Sequence, residues 1–460
     1  MRTLTAGDRI APGSTPKPLF LDALARRAIL ARLERLQHGR VVLTDADDTC
    51  RFGQVSDLCP IEVTVSVRDA RFYADIAFGG AVGAGEAYMQ GYWGASDLTN
   101  LVRILIHNRE VLDGMETGLA RLSAPAQKIL HWLHRNTRAG ARRNIAAHYD
   151  LGNDFFRLIL DETMMYSCAV FEHAHTSLHA ASVAKLERIC RKLDLQPTDH
   201  LLEIGTGWGG FALHAASRYG CRVTTTTISR QQYELARDRI HAAGLQGRIT
   251  LLREDYRDLR GAYDKLASIE MIEAINYDQY DTFFRQCGRL LKPDGQMLLQ
   301  SITIADQRYQ RARDEVDFIK RYVFPGSCIP SITVLNQAMT QASDLKLFHL
   351  EDIGPHYATT LRRWRENLHG RIDAVRALGY SDSFIRLWEF YLCYCEGGFA
   401  ERVLGDVHML LLKPACRRSV EVSTGQQPLS RCPGAWRWST IRQTRNELLT
   451  TGSYLASTSL

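Results

Sequence analysis

The chain has 460 residues, 45% of them hydrophobic and 23% charged, enough for two or three globular domains around a large buried core. Its net charge of +6 is too slight to imply nucleic acid, and no apolar run of about 18 residues predicts a membrane-spanning helix. The N-terminus lacks the apolar core of a secretory signal, and the 11 cysteines are scattered without paired CxxC spacing, so a cytoplasmic protein with free thiols and no metal site is expected.

Residues 1–18, rich in Pro, Gly, Ser and Thr, read as a disordered lead-in. Residues 19–38 show helical recurrence of Leu and Ala, and residues 40–78 read as strand-like, as in VTVSV at 63–67. A glycine-rich stretch at 79–94 precedes a helical pattern over 97–135, and residues 19–125 together predict a small α+β domain. Between Glu116 and Asp150 there is no acidic residue, whereas Arg121, Lys128, Arg135, Arg138, Arg142 and Arg143 fall there beside Ile129, Leu130, Trp132 and Leu133. Residues 126–145 therefore read as a basic linker helix, suited to an anionic membrane surface or, equally, to solvent between two domains.

From residue 180 onward, strand and helix patterns alternate, which predicts an open parallel sheet with helices on both faces. In such a sheet ligands bind beyond the carboxyl ends of the strands. The first strand, HLLEI, ends in a GxGxG turn containing Gly205, Gly207 and Gly209, with Glu203 just before it. Glycines there let the backbone turn tightly and approach a ligand closely. The spacing is not the GxGxxG of a dinucleotide fold, and the second strand ends in TTTTIS without the acidic residue that holds an NAD ribose. Thr227, Ser229 and Gln232 are positioned to supply polar contacts instead. After the third strand, Asp255 and Tyr256 suit an adenine edge, as acceptor and stacking ring, although Asp255 could simply cap the next segment.

Several separated motifs carry a resemblance: RFYADIAFGGAVGAGEAYMQGYW, NIAAHYDLGNDFFRLILDETMMYSCAVFE, LLEIGTGWGG, TTTISRQQ, EDYRDL, SIEMIEAI, FPGSCIPS, PHYATTL and YCEGGF. Over residues 20–414 the chain resembles the cyclopropane-fatty-acyl-phospholipid synthases and the related mycolic-acid methyltransferases. The resemblance implies a Rossmann-like α/β domain over 146–414 that uses S-adenosylmethionine, preceded by a lipid-associated α+β domain. It implies methyl transfer to a cis double bond in an unsaturated phospholipid acyl chain, through a carbocation that closes to a cyclopropane. Such a cation needs a water-excluded pocket lined by aromatic faces. Tyr166 and Ser167 would cover the cofactor. A bound bicarbonate would act as base, held by the backbone at Cys168, Glu273, Ile302 and Tyr357, and the catalytic cysteine would be Cys395. The resemblance also suggests a homodimer at the inner face of the membrane.

Two departures stand out. Well-known members carry histidine at the positions of Ala274 and Gln300; a glutamine amide donates but carries no charge and shuttles no proton. Misplacement of the base would let the cation lose a different proton and give a methylene- or methyl-branched chain. The resemblance also stops at Pro414; residues 415–460 have little periodicity and read as a disordered tail. Two other readings remain at this level: a methyltransferase for a soluble small molecule, and a membrane-associated binding protein without turnover. Cys168, Cys395 and Tyr357 each have a plain packing reading as well.

Overall fold

The computed structural model describes residues 20–46, 48–111 and 152–418, and these build two sheets. The smaller follows helix α1 (Phe20–Leu33) and comprises β1 (Gly39–Thr44), β2 (Thr49–Gln54), β3 (Glu62–Val67) and β4 (Trp93–Ala95), in the order β2-β1-β3-β4. Alternation in β1 puts Val41 and Leu43 in the core. The strand-like reading of 40–78 fails at its end: Arg71–Met89 is helix α2, carrying Phe72, Tyr73, Ile76 and Ala77 on a buried face at helical rather than alternating spacing. The glycine-rich stretch belongs to the same helix as far as Met89, with a kink at Gly80, and its end enters β4. Helix α3 (Leu98–His107) is capped by Asp97, whose side chain accepts from Asn100 N–H. The basic segment at 121–143, the lead-in and the tail beyond 418 lie outside the described residues.

Helices α4 (Asn153–Ile159) and α5 (Leu178–Leu193) lead into the second sheet. There β5 (His200–Ile204), α6 (Gly210–Tyr219), β6 (Arg222–Thr226), α7 (Arg230–Ala242), β7 (Ile249–Leu252), β8 (Tyr263–Ile269), α8 (Tyr280–Leu290) and β9 (Leu291–Ile304) follow the expected alternation. Helices α9 (Asp306–Asp314) and α10 (Ile332–Ala342) precede β10 (Lys346–Asp352); α11 (Pro355–Gly370), α12 (Ile372–Ala377) and α13 (Asp382–Ala400) precede β11 (Leu404–Leu412). The strand order is β10-β11-β9-β8-β5-β6-β7. The expected all-parallel sheet needs one correction: β11 runs antiparallel to β9, and β10 antiparallel to β11.

The sheet grows from β5 towards β6 and β7, then crosses back to β8 and β9, so strand order reverses between β5 and β8. That reversal opens a crevice at the carboxyl ends of these two strands. The described residues as far as Cys416 form one unit, and a single apolar core joins Ile29, Val63 and Ile104 of the N-terminal part to Phe155, Trp208, Trp364 and Trp388. Polar ties cross the same boundary: Tyr88 donates to Glu389 at 2.7 Å, and Arg103 pairs with Glu401 at 2.6 Å. Among the described residues no helix is long and apolar enough to cross a membrane.

Candidate active site

Beyond β5 the backbone turns at Gly205 and Gly207, with φ of 103° and 52°, a region costly for residues with a Cβ. Trp208, almost fully buried, anchors this loop by donating its indole N–H to Asn153 Oδ1 at 2.7 Å. The loop forms one wall of a cleft that Tyr166, Ser167, Thr227, Gln232, Asp255 and Tyr256 also line. Three residues expected at the cofactor stand outside this lining. Glu203 lies beneath the loop, where it accepts from Thr225 Oγ1 at 2.5 Å, and desolvation pushes its carboxyl up to about 8. Gly209 is the N-cap of α6, and Ser229 caps α7 by accepting from Gln232 N–H. These three shape the wall without facing the cleft. Asp255 does both things considered for it: it lines the cleft, and it caps the turn at Tyr256–Asp258 while pairing with Arg257 at 2.6 Å.

Across the crevice, β8 ends at Ile269 and the next residue, Glu270, faces the cleft. Its Oε1 accepts from Cys168 N–H at 2.8 Å and from Gln300 Nε2 at 2.7 Å; its Oε2 accepts from the Tyr357 hydroxyl at 2.6 Å. Gln300 Nε2 also donates to Asp406 Oδ2 at 2.9 Å, while its Oε1 lies 3.2 Å from His408 Nε2. The amide orientation thus makes His408 Nε2 a donor and leaves its Nδ1 to accept from Lys192 Nζ at 3.1 Å. Burial and the nearby Lys192 and Lys185 keep His408 neutral, well below the ordinary histidine range. Fully buried Lys185 donates to Ser167 Oγ at 2.7 Å; burial lowers its pKa, and the nearby Glu270 and Asp406 oppose that shift and favour its charged form. Burial raises both carboxyls of the pair, but Asp406, pushed further by Glu270 and Glu273, goes well above the usual carboxylate range, whereas Glu270 is pulled back down by Tyr357, the Cys168 N–H and Lys185; Asp406 therefore holds the proton and Glu270 is the ionised partner.

The other expected catalytic residues are placed as follows. Cys168 contributes its backbone; its thiol is buried, lies against the carbonyls of Ala169 and Ile353, and is pushed well up by desolvation. Ile302 N–H donates to Glu273 Oε1 at 2.5 Å. Glu273 does not line the cofactor cleft. Cys395, on α13, is partly buried; burial and Asp317 raise its thiol pKa, which keeps it protonated. Among the described residues no hydrogen bond joins it to the Glu270 group. Sequence reasoning missed Glu270, Lys185, Asp406 and His408.

An aromatic wall stands beside the carboxylates. The Tyr166 and Tyr391 hydroxyls are 2.9 Å apart, and the Tyr166 ring packs against Phe156, Trp364 and Trp388. Tyr357 stacks on Phe399 with centroids 4.4 Å apart. The arrangement brings a backbone loop suited to a nucleoside, aromatic faces suited to a cation and an ionised carboxylate into one crevice.

Residues 136–409 match the family model described as mycolic acid cyclopropane synthetase. A tuberculostearic acid methyltransferase of Mycobacterium tuberculosis is 38% identical over 351 residues, covering 72% of this chain and 79% of the relative. A cyclopropane-fatty-acyl-phospholipid synthase of Escherichia coli is 34% identical over 340 residues, covering 74% and 85%. Among solved structures, the cyclopropane synthase MmaA2 of Mycobacterium tuberculosis matches with a TM-score of 0.56 and 30% identity, covering 59% of this chain and 98% of the other. The mycolic acid cyclopropane synthase CmaA1 complexed with SAH and CTAB matches at 0.54 and 30% identity, with the same coverage.

Proposed function

This chain belongs to the mycolic acid cyclopropane synthetase family of S-adenosylmethionine-dependent methyltransferases, and we propose that it alkylates the cis double bond of unsaturated acyl chains in phospholipids, forming cyclopropane chains. The observation that carries this reading is the juxtaposition of the Tyr166 aromatic group with the ionised Glu270 at the cofactor cleft. S-adenosylmethionine, when bound, supplies an electrophilic methyl carbon. Gly205 and Gly207 let the backbone approach the cofactor, Thr227 and Gln232 offer polar contacts, and Asp255 with Tyr256 meets its adenine. Aromatic faces stabilise the cationic acyl chain and keep out the water that would trap it.

The test incubates the protein with methyl-labelled S-adenosylmethionine and vesicles of cis-unsaturated phospholipid. Mass spectrometry should show a gain of one CH₂ per modified chain, and NMR should show cyclopropyl protons. Label found only in non-lipid products overturns the reading. A second reading, a methylene- or methyl-branched product, is favoured by Gln300 and Ala274 and by the likeness to a tuberculostearic acid methyltransferase. The same NMR spectrum separates the two. The basic residues at 121–143 support docking on an anionic membrane surface, with residues 19–125 forming the lipid-associated part and the enzyme working at the inner face as a homodimer. Reversing the charge of Arg138, Arg142 and Arg143 should abolish vesicle binding at low salt.

A further inference from the structure

The residues that the family resemblance assigns to bicarbonate do not fit a bound anion. Three groups next to the cleft, Cys168 N–H, Gln300 Nε2 and the Tyr357 hydroxyl, all donate to the Glu270 carboxylate, at 2.8, 2.7 and 2.6 Å. The remaining expected donor, Ile302 N–H, is taken by Glu273. An added anion would find its donors occupied and would sit against the ionised Glu270, where like charge opposes it, with the neutral carboxyls of Glu273 and Asp406 offering no compensating charge.

We propose that the Glu270 carboxylate takes the place of bicarbonate and is this enzyme's own base; the proposal rests on the lipid-alkylation reading above. Position favours it: Glu270 follows β8 at the strand reversal and lines the cofactor cleft together with Gly205 and Tyr166. The backbone favours it too. Glu270 has φ of 47°, a left-handed conformation that costs a residue with a Cβ about 1–2 kcal/mol and that glycine adopts freely. A strained residue whose side chain is held by three donors is a placed functional group. Asp406 keeps the proton of the pair and Lys185 supplies the balancing charge, so Glu270 is ionised and ready to accept.

The alkene π pair forms the bond to the methyl carbon, the S–CH₃ pair stays on sulfur, and a cationic carbon is left on the acyl chain. Glu270 takes one proton from the new methyl group, and the freed C–H pair closes the ring. The products are the cyclopropyl chain, S-adenosylhomocysteine and a protonated Glu270, which returns its proton to solvent. In the methylene-branched variant a hydride first shifts from the methyl-bearing carbon to the cationic carbon; the same carboxylate then takes a proton from the methyl group, and the freed C–H pair forms the C=CH₂ double bond.

The experiment measures label transfer to phospholipid vesicles in CO₂-free buffer, with and without added bicarbonate, for the wild-type chain, Glu270→Gly and Glu270→Gln. The wild-type rate should be the same in both buffers. Glu270→Gly, whose backbone suits glycine, should lose about a hundredfold or more without bicarbonate and regain at least about tenfold with it. Glu270→Gln fills the space without a base and should stay inactive in both. A wild-type rate that depends on bicarbonate, or either variant keeping the wild-type rate in CO₂-free buffer, overturns the proposal. No transfer by the wild type in either buffer overturns the lipid-alkylation reading itself, and this proposal with it.

Discussion

The two walls of the cleft are built on different principles. The wall after β5 is made of consecutive residues, and what matters there is backbone conformation: the turns at Gly205 and Gly207 and the anchoring of Trp208 on Asn153. The wall after β8 is made of side chains from distant segments, and what matters there is the balance of buried charge among Lys185, Glu270, Glu273 and Asp406. A change in the first wall should act locally and modestly. A change in the second leaves a charge or a donor without its partner in a low-dielectric interior, so it should act more strongly.

The largest effect follows from removing the buried cation. Lys185→Met preserves length but leaves Glu270 and its neighbours uncompensated, and should cost about 3–5 kcal/mol in urea unfolding. A loss of less than about 1 kcal/mol would show that the second wall is not charge-balanced through Lys185 and would erase the contrast between the walls.

The same contrast explains what could be read from the sequence. The glycine loop and the β–α alternation as far as β9 are local patterns, and the residues that form them are neighbours in the chain. The antiparallel return of β10 and β11 was not legible, because an apolar strand pattern carries no direction. Nor was helix α2, whose small residues weaken its periodicity. Glu270 lay in the same stretch that drew attention to Glu273; the overlooked signal was its place one residue beyond the end of a strand next to the strand reversal. Asp406 and His408 also left a trace, as alternating polar residues in the buried strand GDVHMLLL, but their meeting with Gln300 depends on the β9–β11 register. Cys168 shows the opposite error, since its thiol drew attention while its amide does the work.

Glu273 tests the charge wall through pH. Burial and then the neighbouring Glu270 push its carboxyl up, more than Ser301 and Ile302 pull it down, to about 8. The folded chain therefore keeps this proton to about pH 8, while the unfolded chain releases it near the ordinary value of about 4.5. Stability from this group is highest below the unfolded value and falls as pH rises, levelling near pH 8. Glu273→Gln has no such proton to lose. Its stability relative to the wild type should rise by about 2 kcal/mol between pH 6 and 8, at up to about 1.4 kcal/mol per unit. A difference that does not change over this interval would mean that Glu273 is ionised in the folded chain.

Tyr357→Phe removes one of the donors to Glu270 and keeps the stack on Phe399. Loss of a hydrogen bond to a charged acceptor costs about 1.5–3 kcal/mol, so the rate of label transfer should fall by about ten- to a hundredfold. S-adenosylmethionine affinity, which belongs to the other wall, should hardly move. An affinity loss as large as the rate loss would show that the walls are not separable.

The smallest effect lies in the glycine wall. At Gly207 an added Cβ meets no atom of the chain within 4 Å, so Gly207→Ala exposes the cost of φ 52° alone. Unfolding of the cofactor-free protein should show a loss of about 1 kcal/mol. Gly207 lines the cleft, so the same methyl group should weaken S-adenosylmethionine binding in calorimetry by more than the roughly fivefold that about 1 kcal/mol represents. At Gly205 the outcome should be worse on both measures, because φ of 103° lies further from any conformation open to alanine and the new Cβ would come within 3.3 Å of Met271. Met271 directly follows Glu270, so Gly205 is the point where the backbone wall touches the charge wall, and Gly205→Ala should be the one glycine change that also lowers the rate once cofactor is saturating.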